Sequence, residues 1–449
     1  MTPREIKRLQ DELSEYVDSL LLGMGRPERR RAMSWYVTGL LLDGERKSIE
    51  PMAARLVDEA SEVEAMRQRM QQCVSVSEWS DRELLGRLAL KLDGELPGIE
   101  ALVVDDTGHP KKGTHSVGVH RQYSGTLGRI DNCQVAVSLH LAGESVSGCI
   151  AYDLYLPEVW STDRSRRQNV GVPDDIPFRT KWKIALAQID WALSTGVRKH
   201  LTLADAGYGD ISDFRDGLTE RGLVYVVGVN GTPIVWPPES DPRIPPRRFK
   251  RGKSPTRYRD KKHPPETIEH LAQRMSYRKV CWREGSRGKQ SSRFAAVRIR
   301  TASGHHHMEP PGYEQWLLCE WPDGEKAPTK HWLSTLPSTV SLRTLVRLAK
   351  LRWRVERDYQ EMKEEIGLDH FEGRSWRGFH HHATLCAVAH GFLALQRALF
   401  PPEATEVDSA DGASLPSASA AAADWLLPDV SAARELTQSA PRGVAHVIE

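Results

Sequence analysis

Three carboxylates in three separate segments stand where this chain could do chemistry. Asp106 closes the apolar run of LVVDDTG and Asp205 closes that of HLTLADAGYGD. Glu356 lies in LAKLRWRVERDYQEMKEEIG, a stretch patterned as one long charged helix. Apolar, β-rich runs that end in Asp present carboxylates at the rim of a sheet, and a helical Glu laid across that rim completes a site for two divalent ions. Such a site stabilises both the attacking and the leaving oxygen in phosphoryl transfer on nucleic acid. Taken singly, each Asp is weak evidence, because a strand-ending Asp is most often a cap or turn residue. Asp105 and Asp106 are neighbours and point to opposite faces of a strand, so one is expected to face the ions and the other to hold the loop.

The elements that must position these acids follow from periodicity. Residues 1–95 read as a helical region with DNA contact, in which Arg29, Arg30 and Arg31 could touch phosphate or simply solvate a helix face. Pro27 opens a second helix, a third covers roughly 51–71, and Ser80 with Glu83 forms a capping box before DRELLGRLALKL. Residues 96–230 change period. Strands IEALVVDD, CQVAVSLHLA and SGCIAYDLYLP, with a Gly- and base-rich loop or hairpin after the first, precede the amphipathic helix TKWKIALAQIDWALSTGV. HLTLAD, the helix ISDFRDGLTERG and LVYVVGV complete the order βββαβαβ, that of an RNase H-like α/β core with a mixed sheet flanked by helices. Residues 231–335 interrupt it with a basic, β-rich insertion. Residues 336–400 return to helix, deliver Glu356, and end in an apolar helix that should pack on the sheet.

The chain has 449 residues, too many for one ordinary core. Net charge is only +2, but its distribution is uneven. Residues 247–300 hold 18 Lys and Arg against 4 Asp and Glu, the balance a polyanion partner would select. Arg247, Arg248, Lys250 and Arg251 are candidate phosphate contacts. Residues 401–449 hold 2 against 8, are rich in Ala and Ser, and read as an acidic disordered tail. No apolar run approaches the roughly 20 residues that span a membrane, and the charged N-terminus lacks signal-peptide character. Six scattered cysteines without a CxxC spacing argue against structural zinc or a disulfide framework, and fit a cytoplasmic protein with reduced thiols.

Joint motifs add what spacing alone cannot. Arg352, Glu356 and Lys363 match the Y-x2-R-x3-E-x6-K signature, with Ala349 at the Tyr position. With DDTG, ADAGYG, KKGTHSVGVHRQYSGTLGRIDNCQVAVSL and GLDHFEGRSWRGFHHH, the chain resembles, over residues 15–398, the DDE transposases of bacterial insertion sequences. The resemblance implies catalysis by Asp106, Asp205 and Glu356 holding two Mg2+ or Mn2+ ions, with Asp105 as a supporting residue or the alternative first acid. It implies double-stranded DNA as partner, both element ends and target, with a homodimer in the DNA complex and a nucleoid-associated, cytoplasmic location. Arg352 and Lys363 share a helical face with Glu356 and could grip phosphates, or could merely pair with acids on their own helix. Trp376, between Arg374 and Arg377, could stack on a base. Trp353 reads as core. His380, His381 and His382, like His305, His306 and His307, fan out by about 100° per residue on a helix, so a DNA-facing or solvated role is expected rather than chelation. A nuclease of the same fold that cuts without joining is the rival reading. A domesticated DNA-binding protein is the other, and the presence of all three acids counts against it.

The tail supplies a first expected result. Removing residues 405–449 should leave expression and DNA cleavage in place, because that segment lacks the apolar content of a core. Insoluble truncated protein would contradict this.

Overall fold

The computed structural model describes residues 2–247, 254–285, 288–302 and 310–400. Arg248, Lys250, Arg251, His305, His306, His307 and the acidic tail lie outside the described residues.

Five helices come first: α1 (Pro3–Leu21), α2 (Pro27–Leu41), α3 (Ile49–Leu56), α4 (Val63–Ser75) and α5 (Asp81–Glu95). Thr2 and Glu5 form a reciprocal capping box on α1. The expected capping box at Ser80 is half made. Ser80 Oγ accepts the Glu83 N–H at 3.0 Å, while the Glu83 carboxylate pairs with Arg87 at 2.6 Å. The single helix expected over 51–71 is two, broken between Leu56 and Val63 by extended backbone and a short 3-10 turn.

The sheet follows. Strands β1 (Ile99–Pro110), β2 (His120–Ser124), β3 (Arg129–Gly143) and β4 (Ser147–Tyr155) are antiparallel neighbours. Short helices α6 (Glu158–Thr162) and α7 (Arg164–Asn169) lead to α8 (Lys181–Thr195), which crosses to β5 (Leu201–Ala204). The turns α9 (Ala206–Gly209) and α10 (Ser212–Glu220) then reach β6 (Tyr225–Val229). β5 runs parallel to both β1 and β6, so the acid-bearing strands lie side by side. This is the mixed α/β, RNase H-like arrangement expected from the strand order.

The insertion comprises β7 (Ile234–Trp236), β8 (Glu266–Thr267), α11 (Ile268–Gln273), β9 (Arg278–Gly285), β10 (Gly288–Thr301), β11 (Glu314–Trp321) and β12 (Lys330–Ser334). Its strands do not form a separate sheet. β12 pairs antiparallel with β6, and the path β2-β3-β1-β5-β6-β12-β11-β10-β7-β8 is continuous.

The last helices are α12 (Leu342–Lys350), α13 (Trp353–Gln360) and α14 (Trp376–Leu399). The long helix expected around Glu356 is therefore broken at Leu351–Arg352, and a π turn over Glu361–Glu365 follows α13. At the break, Arg354 N and Val355 N reach back only three residues, to Leu351 O and Arg352 O. Two contacts fix α12 and α13 on the insertion. Lys350 Nζ donates to Glu320 at 2.5 Å and sits 4.7 Å over the Trp282 ring. Arg283 lies 4.0 Å over Trp353. Trp353 is thus half-buried beneath a guanidinium instead of in the core.

α14 is buried from Gly378 to Leu395, which overturns the solvated reading of its three histidines. Enclosed on all sides, each ring meets polar partners within the fold. Tyr36 Oη lies 2.9 Å from His382 Nδ1, and His382 Nε2 lies 3.1 Å from Gly367 O. His381 stacks on Trp79 at 3.7 Å. His380 Nδ1 meets Trp376 O at 2.9 Å. Burial pushes His381 and His382 down to about 4, so both stay neutral.

Candidate active site

The register of β1 and β5 organises the acids. Ala101, Leu102 and Val103 pair with Leu201, Thr202 and Leu203. Carried two residues further, that ladder sets Asp205 level with Asp105, and level residues on adjacent strands point to one face. The same face carries Ser138 and His140 of β3, which contact α13 through Tyr359 Oη at 2.6 Å and Asp358 at 2.8 Å. Asp105 Oδ2 accepts from Arg352 at 2.5 Å, and Arg352 also donates to Glu356 Oε1 at 2.9 Å. One guanidinium therefore bridges β1 and the helix of Glu356. Asp106 faces the other side, where its Oδ2 accepts from Lys181 Nζ at 3.0 Å and Tyr208 Oη at 3.3 Å. Strand alternation thus puts Asp105, not Asp106, beside Glu356, against the preference for Asp106 drawn from the DDTG motif.

Electrostatics bind all three aspartates into one cluster. Burial, opposed by Arg352 and aided by Asp205 and Asp106, pushes the Asp105 carboxyl up to about 7. Burial also raises Asp205, with Arg352 pulling it down and Asp106 pushing it up. Both adjacent aspartates act on this cluster through space, although they stand on opposite faces of β1. Asp205 caps the turn α9, its carbonyl accepting the Gly209 N–H at 2.8 Å. Neither Gly209 nor Gly228 has room for a Cβ, so the turn can press against β6 and hold Asp205 at the rim.

The donor set suits a hard divalent cation, which takes carboxylate oxygens. Asp205 Oδ1 is buried without a hydrogen-bond partner, an atom that calls for a ligand. The cage is not preassembled. Among the described residues no three His, Cys, Asp or Glu side chains stand close enough to hold an ion together. Arg352 and Lys181 occupy oxygens of the acids, and the Glu356 side chain is 67% exposed.

The flanking candidates divide. Lys363 reaches β1 as Arg352 does, donating to Thr107 Oγ1 at 2.7 Å and Gly108 O at 2.9 Å. Ala349, at the signature's Tyr position, is buried in the core. Trp376 is half-buried with one face 4.2 Å from the His380 ring. Arg377 is tied to Val76 O at 2.7 Å and Glu78 at 3.1 Å, whereas Arg374 is exposed. Sequence reasoning missed Lys181 and Tyr208. The GYG after Asp205 was a usable signal, because one turn returns its Tyr to the rim; Lys181 offered none beyond opening a helix.

The fold and this rim of acids define a DDE-type nucleic-acid enzyme core. A family model described as DDE superfamily endonuclease matches residues 19–289, and the chain belongs to that family. The match spans Asp105, Asp106 and Asp205, with Glu356 beyond it. The chain is also 30% identical over 232 residues to the "Probable transposase for insertion sequence element IS701" of Microchaete diplosiphon. That alignment takes in 50% of this chain and 54% of the relative, so the chain spans about half the length of the curated protein it matches. No helix among the described residues is long and apolar enough to cross a membrane.

Proposed function

We propose that this protein is the transposase of an insertion sequence, cutting element ends from flanking DNA and joining them to a target. The observation that carries the reading is the Asp105–Arg352–Glu356 bridge beside Asp205 at the rim of the sheet. In this reading Asp105, Asp205 and Glu356 hold two Mg2+ or Mn2+ ions, which supply charge neutralisation at the attacking and leaving oxygens. Asp106 orients Lys181 and Tyr208 beside them. Arg352 sets the spacing of Asp105 and Glu356 and turns its remaining N–H donors toward a phosphate. Lys181 Nζ offers further donors on the opposite side. The partner is duplex DNA, engaged by a homodimer in the nucleoid-associated pool.

Purified protein with Mg2+, an end-bearing duplex and a supercoiled plasmid tests this. Joined products are expected. Cleavage without joining would favour the nuclease of the same fold.

The basic insertion makes a separate prediction. Replacing Arg247, Arg248, Lys250 and Arg251 with Ala should flatten the salt dependence of binding by about 0.9 in log–log slope per lost phosphate contact. Affinity should fall alike for end-sequence and random duplexes, since phosphate contacts position and base contacts specify. An unchanged slope with loss confined to the end sequence would mean that the segment reads bases.

A further inference from the structure

The first hairpin of the sheet carries a feature the acids do not explain. β1 ends its pairing at Pro110 opposite Cys133, and β4 ends at Tyr155 opposite Val135. β3 continues beyond both, and its residues 129–132 are paired by β2 alone. This two-stranded ribbon folds back over β1: Ser124, opposite Arg129 at its far end, is buried and packs against Gly108. An isolated ribbon is marginal in water, but this one is rooted. Asn132 Nδ2 donates to Lys111 O at 2.6 Å and Gly113 O at 2.9 Å. Gln122 Nε2 donates to Cys133 O at 2.9 Å, and Ser124 packs against Gly108.

On this rigid root stand two exposed apolar side chains. Tyr123 is 60% and Ile130 62% exposed. They are directly opposed in the ladder, so they share one face as a cross-strand pair. Single exposed hydrophobics are ordinary; a paired ring and branched chain on a ribbon flanked by cations are not. Exposed cations flank them: Lys112, Arg121 and Arg129, of which Arg129 makes only a surface ion pair with Asp131.

We propose that this arm is a DNA wedge, with Tyr123 and Ile130 pressed against base faces of the duplex and Arg121 and Arg129 on its phosphates. The proposal rests on the DNA-cutting reading above. Apolar side chains set on a cationic arm match duplex DNA, whose charged backbone encloses stackable bases. Tyr123 adjoins Ser124, which packs against Gly108, two residues along β1 from Asp106. The wedge therefore meets the duplex beside the cut.

The test uses the full chain and a cut-site duplex with 2-aminopurine stepped along the flank. In wild-type protein its fluorescence should rise at the positions next to the cut, because unstacking relieves quenching. Tyr123→Ser with Ile130→Ser should abolish that rise and weaken binding about tenfold, the scale of a lost stacking contact, while leaving the salt slope unchanged. Tyr123→Phe should behave as wild type, and Arg121→Gln with Arg129→Gln should reduce the slope. Equal DNA binding and fluorescence in wild type and the double variant sinks the wedge alone. So does a change in self-association with DNA binding intact, which would assign the arm to a second copy of the chain. Wild-type protein that does not bind duplex removes the DNA-cutting reading and the wedge together. If the double variant misfolds, the wild-type fluorescence profile still decides, since no rise along the flank refutes base contact.

Discussion

Asp105→Asn is expected to abolish DNA cleavage while Asp106→Asn retains a measurable fraction of it. Asp105 shares its face with Asp205 and is joined through Arg352 to Glu356, whereas Asp106 points toward Lys181 and Tyr208. Asn keeps the shape of Asp and removes the charge, so a difference between the two variants reports ligand chemistry rather than packing. Loss of Asp105, Asp205 (as Asn) or Glu356 (as Gln) should each reduce the cleavage rate by about a thousandfold or more, as for groups that act as one unit. Asp106→Asn should cost about ten- to a hundredfold, the range for residues that orient a metal site. Binding to uncut duplex should persist in all four. Cleavage rates under single-turnover conditions check this, and an active Asp105→Asn beside a dead Asp106→Asn would reverse the assignment.

A second large effect lies behind the site. Asp358 is buried and accepts from His140 Nδ1 at 2.8 Å and Ser147 Oγ at 2.5 Å, fastening α13 to β3 and β4. Burial opposes a charge on His140, but Cys149 and Asp358 outweigh it and hold the imidazole up to about 10. His140→Ala leaves the Asp358 carboxylate buried without its cation, which should cost about 3–5 kcal/mol of stability. The sign of the pH dependence follows from the raised value. The stabilisation is complete below the ordinary histidine range near 6.5 and is lost as pH climbs toward 10. Wild-type Tm should therefore decline over that window, and the decline should be shallower in His140→Ala. Thermal unfolding across pH measures both, and parallel curves would mean the pair is not ionic.

How much of this was legible in the sequence differs by link. Strand order was readable because each core strand is a short apolar run bounded by turn residues, as with LVVDD and HLTLAD. Three candidate acids stood out because two end such runs. Which face each of Asp105 and Asp106 takes was not readable, since it depends on the β1–β5 register, a long-range pairing that no local pattern records. The break before Glu356 was hidden because LAKLRWRVERDYQ has helical composition throughout. It is the pull of Asp105 on Arg352, from 247 residues away, that accompanies the interruption. The three histidines misled because polarity suggests solvent, while burial on α14 depends on helices that enclose it from elsewhere in the chain.

The continuous sheet has a consequence for anyone who would recombine this protein's parts. β6 is flanked by the strand of Asp205 on one side and by β12 on the other. Excising the insertion would strip β6 of a neighbour and leave an open row of amides and carbonyls, ready to pair with another molecule. A graft at this position must therefore supply its own antiparallel strand in the β12 register, from His331 opposite Val229 to Ser334 opposite Val226. Exchange by loop-to-loop joining, which works for a domain tethered by linkers, is closed to this architecture.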